Sequence, residues 1–360
     1  MRLLLILNEH PEGAHDDVHR SLAKLRQEKL LEAYQVYPYL ARMKSGLNSK
    51  DVVAEIIEKA RDFQPTAILW ANSELIKIDL KSTEFLKNLP SKPVFGYWDG
   101  DIYQDPYNPI PKNLASLVQN CQVSFWPGYS NSLEKLKKMG CRDLRYVPSA
   151  TDGLRFGKLR TNDTQIKYDV VLVGNRISNR LPWRRWPGAK WREEIVMFLT
   201  KKLGTRFAVF GSGWNVHTSQ GPIPFTEQYK AYHQSRLVIA VNNINTDLFF
   251  SNRLPIVLSS GVPLVHNYEN GYFEIFQELP NPIFFRTTSE AWEKIKFLLN
   301  KDQSELDEIG TSAYQFTLKK LTKHYNLNYI INVLQDYINS KQTQSNVFIR
   351  PNPWIHKPQF

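Results

Sequence analysis

The stretch Ser251-Asn252-Arg253-Leu254-Pro255-Ile256-Val257-Leu258-Ser259-Ser260-Gly261-Val262-Pro263-Leu264-Val265 reads as a polar lead-in, an apolar helix, a glycine stop and a strand. Glycine just past a helix is the common C-terminal stop. A helix N-terminus and the Arg253 side chain then converge on one spot, an arrangement suited to phosphate. On either side, apolar runs of strand length alternate with segments of helical period. That alternation is the mark of a parallel sheet built from strand-helix-strand units.

In the first half, strands are expected at 2–8, 34–39, 67–71, 93–98, 123–126 and 144–147, with helices such as 16–31, 50–63 and 130–139 between them. The turn-rich run Tyr146-Val147-Pro148-Ser149-Ala150-Thr151-Asp152-Gly153-Leu154-Arg155-Phe156 interrupts this rhythm. It resumes with strands at 169–174, 207–210, 237–241, 263–266 and 283–285 and helices at 191–203, 226–234, 252–260 and 289–300. A long amphipathic segment, 305–338, closes the pattern. The fold class is α/β: two Rossmann-like doubly wound domains facing across a cleft. The expected division is 1–155, 156–340 and an irregular tail, 341–360, carrying three prolines.

The chain is long enough for two such domains, and 42% hydrophobic with 22% charged residues describes a folded protein. A net charge of +11 favours anionic partners: nucleotides, nucleic acid or an anionic membrane surface. Cys121 and Cys141 are the only cysteines and form neither a disulfide framework nor a zinc pattern. The apolar run 3–7 is too short for a signal peptide or a membrane span, so a soluble, cytoplasmic protein is expected.

Doubly wound sheets bind ligands outside the carboxyl ends of their strands. In the second half those exits are Gly174-Asn175-Arg176, Gly211-Ser212-Gly213-Trp214 and Asn242-Asn243. The glycines let backbone approach a ligand, Arg176 can fork two hydrogen bonds to phosphate, and the asparagine amides suit ribose or sugar hydroxyls. Each signal is weak alone and equally describes a turn. Together with Ser251, Asn252 and Arg253 they form a ring around one site.

These residues resemble a family. The pieces Val147-Pro148-x-x-x-Asp152-x-x-x-Phe156, Val173-Gly174-Asn175, Phe210-Gly211-x-Gly213-Trp214, Tyr232-x-x-Ser235-x-x-x-x-x-x-Asn242 and Ser251-x-Arg253…Gly261 look like the donor domain of GT-B glycosyltransferases, most like the CgeB-type branch and the glycosyltransferase family 1 donor domain. The resemblance spans about residues 146–276. It implies transfer of a hexose-type sugar from a nucleoside-diphosphate sugar, a UDP-sugar above all, to an acceptor in the cleft, with no cofactor and no obligatory metal. Such enzymes carry an acidic residue for the donor ribose three positions after this arginine. Here that position is Ile256, which leaves Glu274 or Glu269 for the task.

The first half is then expected to hold the acceptor and any general base. After the first strand, Asn8-Glu9-His10-Pro11-Glu12-Gly13-Ala14-His15-Asp16-Asp17-Val18-His19 offers His10 or His15 as base, since neutral imidazole removes a hydroxyl proton near pH 7. His15 and His19 lie one helical turn apart, but no third ligand has metal spacing. After the fourth strand, Tyr97-Trp98-Asp99-Gly100-Asp101 sets two carboxylates among aromatics that can raise their pKa, or forms a plain Asp-Gly turn. The basic run Arg180-Leu181-Pro182-Trp183-Arg184-Arg185-Trp186-Pro187-Gly188-Ala189-Lys190-Trp191-Arg192 can meet donor phosphate, acceptor or single-stranded nucleic acid, or pack its indoles beneath arginine stems. A glycosyltransferase acting on DNA, a non-catalytic nucleotide-sugar or nucleic-acid binder and a sugar-nucleotide epimerase stand as the alternatives.

Overall fold

The computed structural model describes residues 1–11, 15–141, 143–161, 163–177, 186–279 and 283–339. They form two compact units, one built on Met1–Pro148 and the other on Ser149–Thr322.

In the first unit, β1 (Arg2–Leu7), β2 (Ala33–Pro38), β3 (Ala67–Ala71), β4 (Val94–Trp98), β5 (Val123–Trp126) and β6 (Asp143–Tyr146) form one parallel sheet in the order β2-β1-β3-β4-β5-β6. The run Leu3-Leu4-Leu5-Ile6-Leu7 is buried on both faces, as a central parallel strand requires. Helices cover both sides. Asp16–Gln27 buries Val18, Leu22 and Leu25, while Ser49–Phe63, opened by an Asn48 capping box, buries Val52, Val53, Ile56 and Ala60.

The second unit repeats the scheme with β7 (Tyr168–Val173), β8 (Phe207–Phe210), β9 (Ser219–Gly221), β10 (Ser235–Ala240), β11 (Leu264–Asn267) and β12 (Ile283–Phe285), ordered β12-β11-β10-β7-β8-β9 and parallel throughout. Every strand expected from sequence is present within two residues. Only the polar edge strand β9 carries no apolar signal. The helix that opens the deciding stretch is shorter than expected, Arg253–Leu258, and Gly261 beyond it has φ +71°.

The long amphipathic segment 305–338 is two helices, Gln303–Lys320 and Lys323–Ile338. They part where Leu321 leaves helical geometry: Thr151 N–H donates to Leu321 O at 2.9 Å, and Thr151 pairs with Thr322. The final helix groups with the first unit, not with the second half in which the sequence placed it. Its Leu327, Tyr329, Ile330, Ile331, Val333 and Leu334 join the core of Leu3, Leu5, Leu22 and Phe125. The amphipathic period runs on through residues 321 and 322, so it does not register the break.

Candidate functional site

The strand order of the second sheet reverses between β7 and β10, because the chain adds β8 and β9 on one side of β7 and β10 to β12 on the other. Such a switch point opens a crevice at the strands' carboxyl ends. Gly174-Asn175-Arg176 leaves β7 there, and Asn242-Asn243 leaves the end of β10. Next to them, Gly211 adopts φ +142°, and a Cβ on it would lie 2.4 Å from Gly174 O, so only glycine fits.

Two arginines meet at this crevice. Arg253 opens its helix, and Arg192 projects from the helix Pro187–Leu203. A Cβ added at Gly174 would stand 3.4 Å from Arg192 Nη1 and 3.5 Å from Arg253 Nη2, so the missing side chain leaves open the space both guanidinium groups face. Arg192 is 2% exposed and donates to Asn175 O at 3.3 Å and Val241 O at 2.5 Å. Half-buried Arg253 has neither a hydrogen-bond nor an ion-pair partner among the described residues. Burial lowers the pKa of both, and the Arg253 charge lowers that of Arg192 further. His266, sealed nearby, is held neutral by burial, with its pKa down to about 3. No carboxylate among the described residues pairs with either arginine, so the site is a desolvated, uncompensated positive pair. Two like charges so placed are unfavourable without a counter-charge.

Other expected residues divide between this cradle and its scaffold. Ser251 Oγ and Asn243 Oδ1 are buried polar atoms with no hydrogen-bond partner among the described residues. Asn242 is fully buried and committed: its Nδ2 donates to Phe249 O at 3.1 Å and contacts Tyr272 Oη at 2.9 Å, while its Oδ1 accepts from Ser251 N–H at 3.2 Å. It anchors the segment carrying Ser251 instead of reaching a ligand. Asn175 Oδ1 accepts from Ser212 N–H at 2.9 Å, and Trp214 Nε1 donates to Gly174 O at 2.7 Å, so these residues fix the two glycine loops to each other. Gly213, φ +82°, lies in the second of those loops, and Asn252 is exposed just before the Arg253 helix. Arg176, expected to grip phosphate, is instead paired with Glu193 at 2.6 Å. Arg192, and not Arg176, stands beside Gly174.

Ile256 is buried in its helix, 1% exposed. Glu274 is exposed on the short helix Tyr272–Ile275. Glu269, beyond the end of β11, is tied to the crevice: it accepts from Asn245 Nδ2 and Asn267 Nδ2, both at 2.6 Å, and Asn267 Oδ1 accepts from Asn242 N–H at 2.7 Å. Burial raises its pKa to about 8 against the pull of those two amides. Of the basic run 180–192, residues 180–185 lie outside the described residues, as does the tail 341–360.

The first sheet switches between β1 and β3, where Asn8 and Asn72 meet, Asn72 Nδ2 to Asn8 Oδ1 at 3.4 Å. Asn72 Oδ1 also accepts from Gly100 N–H at 2.7 Å and so positions the loop after β4. In that loop Asp99 is sealed, 1% exposed, and accepts from the Tyr97 hydroxyl and from Asp101 N–H at 2.8 Å. Burial raises its pKa to about 7. Asp101 is exposed. Lys323 Nζ sits 4.9 Å from the Trp98 ring centre, and its charge interacts with Asp101, Asp17 and His15. Burial first, then Lys323, lowers the His15 pKa and keeps that imidazole neutral. His10 Nδ1 accepts from Lys44 Nζ at 2.8 Å, and His19 Nε2 pairs with Glu9 at 2.8 Å. The structure therefore brings His15, Asp101 and Lys323 into one electrostatic group and places Asp99 beneath it.

Residues 184–332 match the model of a family described as Glycosyl transferase-like. No curated protein matches the chain. Among solved structures, the fold is shared with Anabaena HepE in complex with UDP and glucose, at 12% identity and TM-score 0.56, covering 95% of this chain and 99% of that one. It is shared too with the sucrose-phosphate synthase of Thermosynechococcus elongatus, at 10% identity and TM-score 0.57, covering 94% and 100%. The trehalose 6-phosphate synthase of Burkholderia multivorans gives 10% identity and TM-score 0.58, covering 96% and 99%. The chain has the GT-B fold, and its residues 184–332 are glycosyl transferase-like. Among the described residues, no helix is long and apolar enough to cross a membrane.

Proposed function

We propose that the protein is a glycosyltransferase that takes its sugar from a UDP-sugar, binds the diphosphate between Arg192 and Arg253, and transfers the sugar to an acceptor hydroxyl handled by the first unit. The observation that carries this reading is the pair of buried Arg192 and half-buried Arg253, without a carboxylate partner among the described residues, at the switch point of the second sheet. The UDP and UDP-glucose held by HepE supply the nucleotide and sugar class.

In the reaction, the acceptor oxygen bonds to the anomeric carbon while the bond from that carbon to the diphosphate oxygen breaks. Negative charge grows on the departing UDP, and two preplaced guanidinium groups in a desolvated site stabilise it without a required metal ion. Ser251 Oγ and Asn243 Oδ1, the orphaned polar atoms, complete the polar lining. Glu269, mostly protonated at neutral pH, serves the ribose hydroxyls in place of the acid missing at Ile256. The acceptor proton passes to neutral His15 or to the exposed Asp101, with Asp99 positioning the latter through its backbone N–H.

The test is turnover of UDP-glucose, hydrolytic or with a panel of neutral sugar acceptors, in the wild type and Arg253→Ala. Retained full turnover in a folded Arg253→Ala protein refutes the assignment.

A further inference from the structure

In the first unit, Lys29, Gln64 and Lys92 take left-handed backbone in turns that lead into strands. Asn72, φ +46°, does so instead at the carboxyl end of β3. Left-handed backbone is uncommon in a residue with a side chain, is best tolerated by asparagine, and persists where the surroundings hold it. All four polar groups of Asn72 are used. Its N–H donates to Trp98 O at 2.9 Å, and its C=O accepts from the hydroxyl of buried Tyr39. Its Oδ1 accepts from Gly100 N–H at 2.7 Å, and its Nδ2 donates to Asn8 Oδ1 at 3.4 Å. Asn8 follows β1, Tyr39 follows β2 and Gly100 comes after β4, so one residue ties the exits of four adjacent strands at the switch point.

The loop it holds has no slack. Asp99 N–H donates to Phe125 O at 3.0 Å, Gly100 N–H to Asn72, and Asp101 N–H to Asp99 Oδ1 at 2.8 Å. A plain turn closes on a single backbone bond. Here three successive N–H groups are bonded, and the run ends on the exposed Asp101.

We propose that Asn72 is the positioning residue of the acceptor side: through Gly100 it holds Asp101 where that carboxylate takes the proton of the acceptor hydroxyl. The proton moves to an Asp101 carboxylate oxygen as the hydroxyl oxygen bonds to the anomeric carbon and UDP departs with the electron pair of the broken bond. Misplacing a reacting group by about 1 Å costs about a hundredfold in rate, so a tie of this kind governs turnover without touching substrate. The inference rests on the donor reading above and adds which residue sets the base.

UDP release from UDP-glucose, with water or glucose as acceptor, tests it as a double-mutant cycle. Asn72→Gly accepts the left-handed backbone and removes the bond to Gly100. It is expected to lower kcat about ten- to a hundredfold, with UDP affinity by isothermal titration calorimetry unchanged. Asp101→Asn is expected to lower kcat by about two to four orders of magnitude, and the double variant no further than Asp101→Asn alone. Asn72→Asp, which keeps an oxygen for Gly100 N–H, is expected to stay near wild-type turnover. Wild-type turnover by Asn72→Gly overturns the proposal. So does a double variant whose loss is the product of the two single losses, or an Asn72→Asp loss as large as that of Asn72→Gly. A wild type without UDP affinity overturns the donor reading first and this inference with it, and one that binds UDP yet releases none from UDP-glucose overturns both.

Discussion

Arg192 and Arg253 are costly residues for the empty protein. Two cations share a desolvated site, and each makes the other's charge harder to hold. Replacing either with alanine is expected to lower turnover by about two to three orders of magnitude, the usual loss for one preorganised charge-stabilising donor. Circular dichroism should show both variants folded, with the melting temperature unchanged or raised in the absence of nucleotide. Arg253 was legible, because a Ser-x-Arg before a glycine-stopped helix is an uncommon pattern. Arg192 was not: it is one of several arginines in a basic run, and nothing in the run says which is buried.

Titration at single residues makes a second expectation. Asp99 and Glu269 have folded pKa values raised to about 7 and about 8, above their unfolded values. Between the unfolded and folded values the native state therefore binds more protons, so their contribution to stability is full at low pH and is lost as pH rises through the folded values. The melting temperature should fall from pH 5 to pH 9. Asp99→Asn should match the wild type at pH 5 and exceed it at pH 9, as differential scanning calorimetry can measure.

Among the elements, the helix Pro187–Leu203 matters most, because its first turns seat Arg192. Gly188 there meets the backbone of the β10 exit: a Cβ would lie 2.0 Å from Asn242 O and 2.8 Å from Asn243 O. Gly188→Ala must push the helix away, and overpacking of that kind costs about 1–3 kcal/mol. It is expected to lower the melting temperature and also to weaken UDP binding by isothermal titration calorimetry, because Arg192 moves with the helix. An unchanged UDP affinity would show that this contact does not set the arginine. Apolar periodicity found the helix itself but began it at Trp191, four residues late. The close approach at Gly188 belongs to tertiary structure and leaves no periodic trace.

For the molecule as a whole, the sequence rhythm gave twelve-strand architecture short of one edge strand, yet not the order of those strands. Both switch points, and with them the meeting of Gly174, Arg192 and Arg253, follow from that order. The final helix shows the same limit, since its amphipathic face states that it is buried and not where. Leu334 lies against β4, close enough that a Cβ on Gly96 would be 3.0 Å from Leu334 Cδ2. Leu334→Ala should therefore destabilise the first unit by about 2–5 kcal/mol, read from urea unfolding. UDP at about 100 times its dissociation constant should stabilise the second by about 2.7 kcal/mol.

Where the chain crosses between units, both severed edges are already closed. Pro148 O accepts from Asn326 Nδ2 at 2.7 Å within the first unit, while Thr151 pairs with Leu321 and Thr322 within the second. The second unit is thus an insert with adjoining ends. It resembles a cassette that recombination can lift out and replace at two neighbouring cuts without opening either sheet, so one unit can be exchanged while the other is inherited intact.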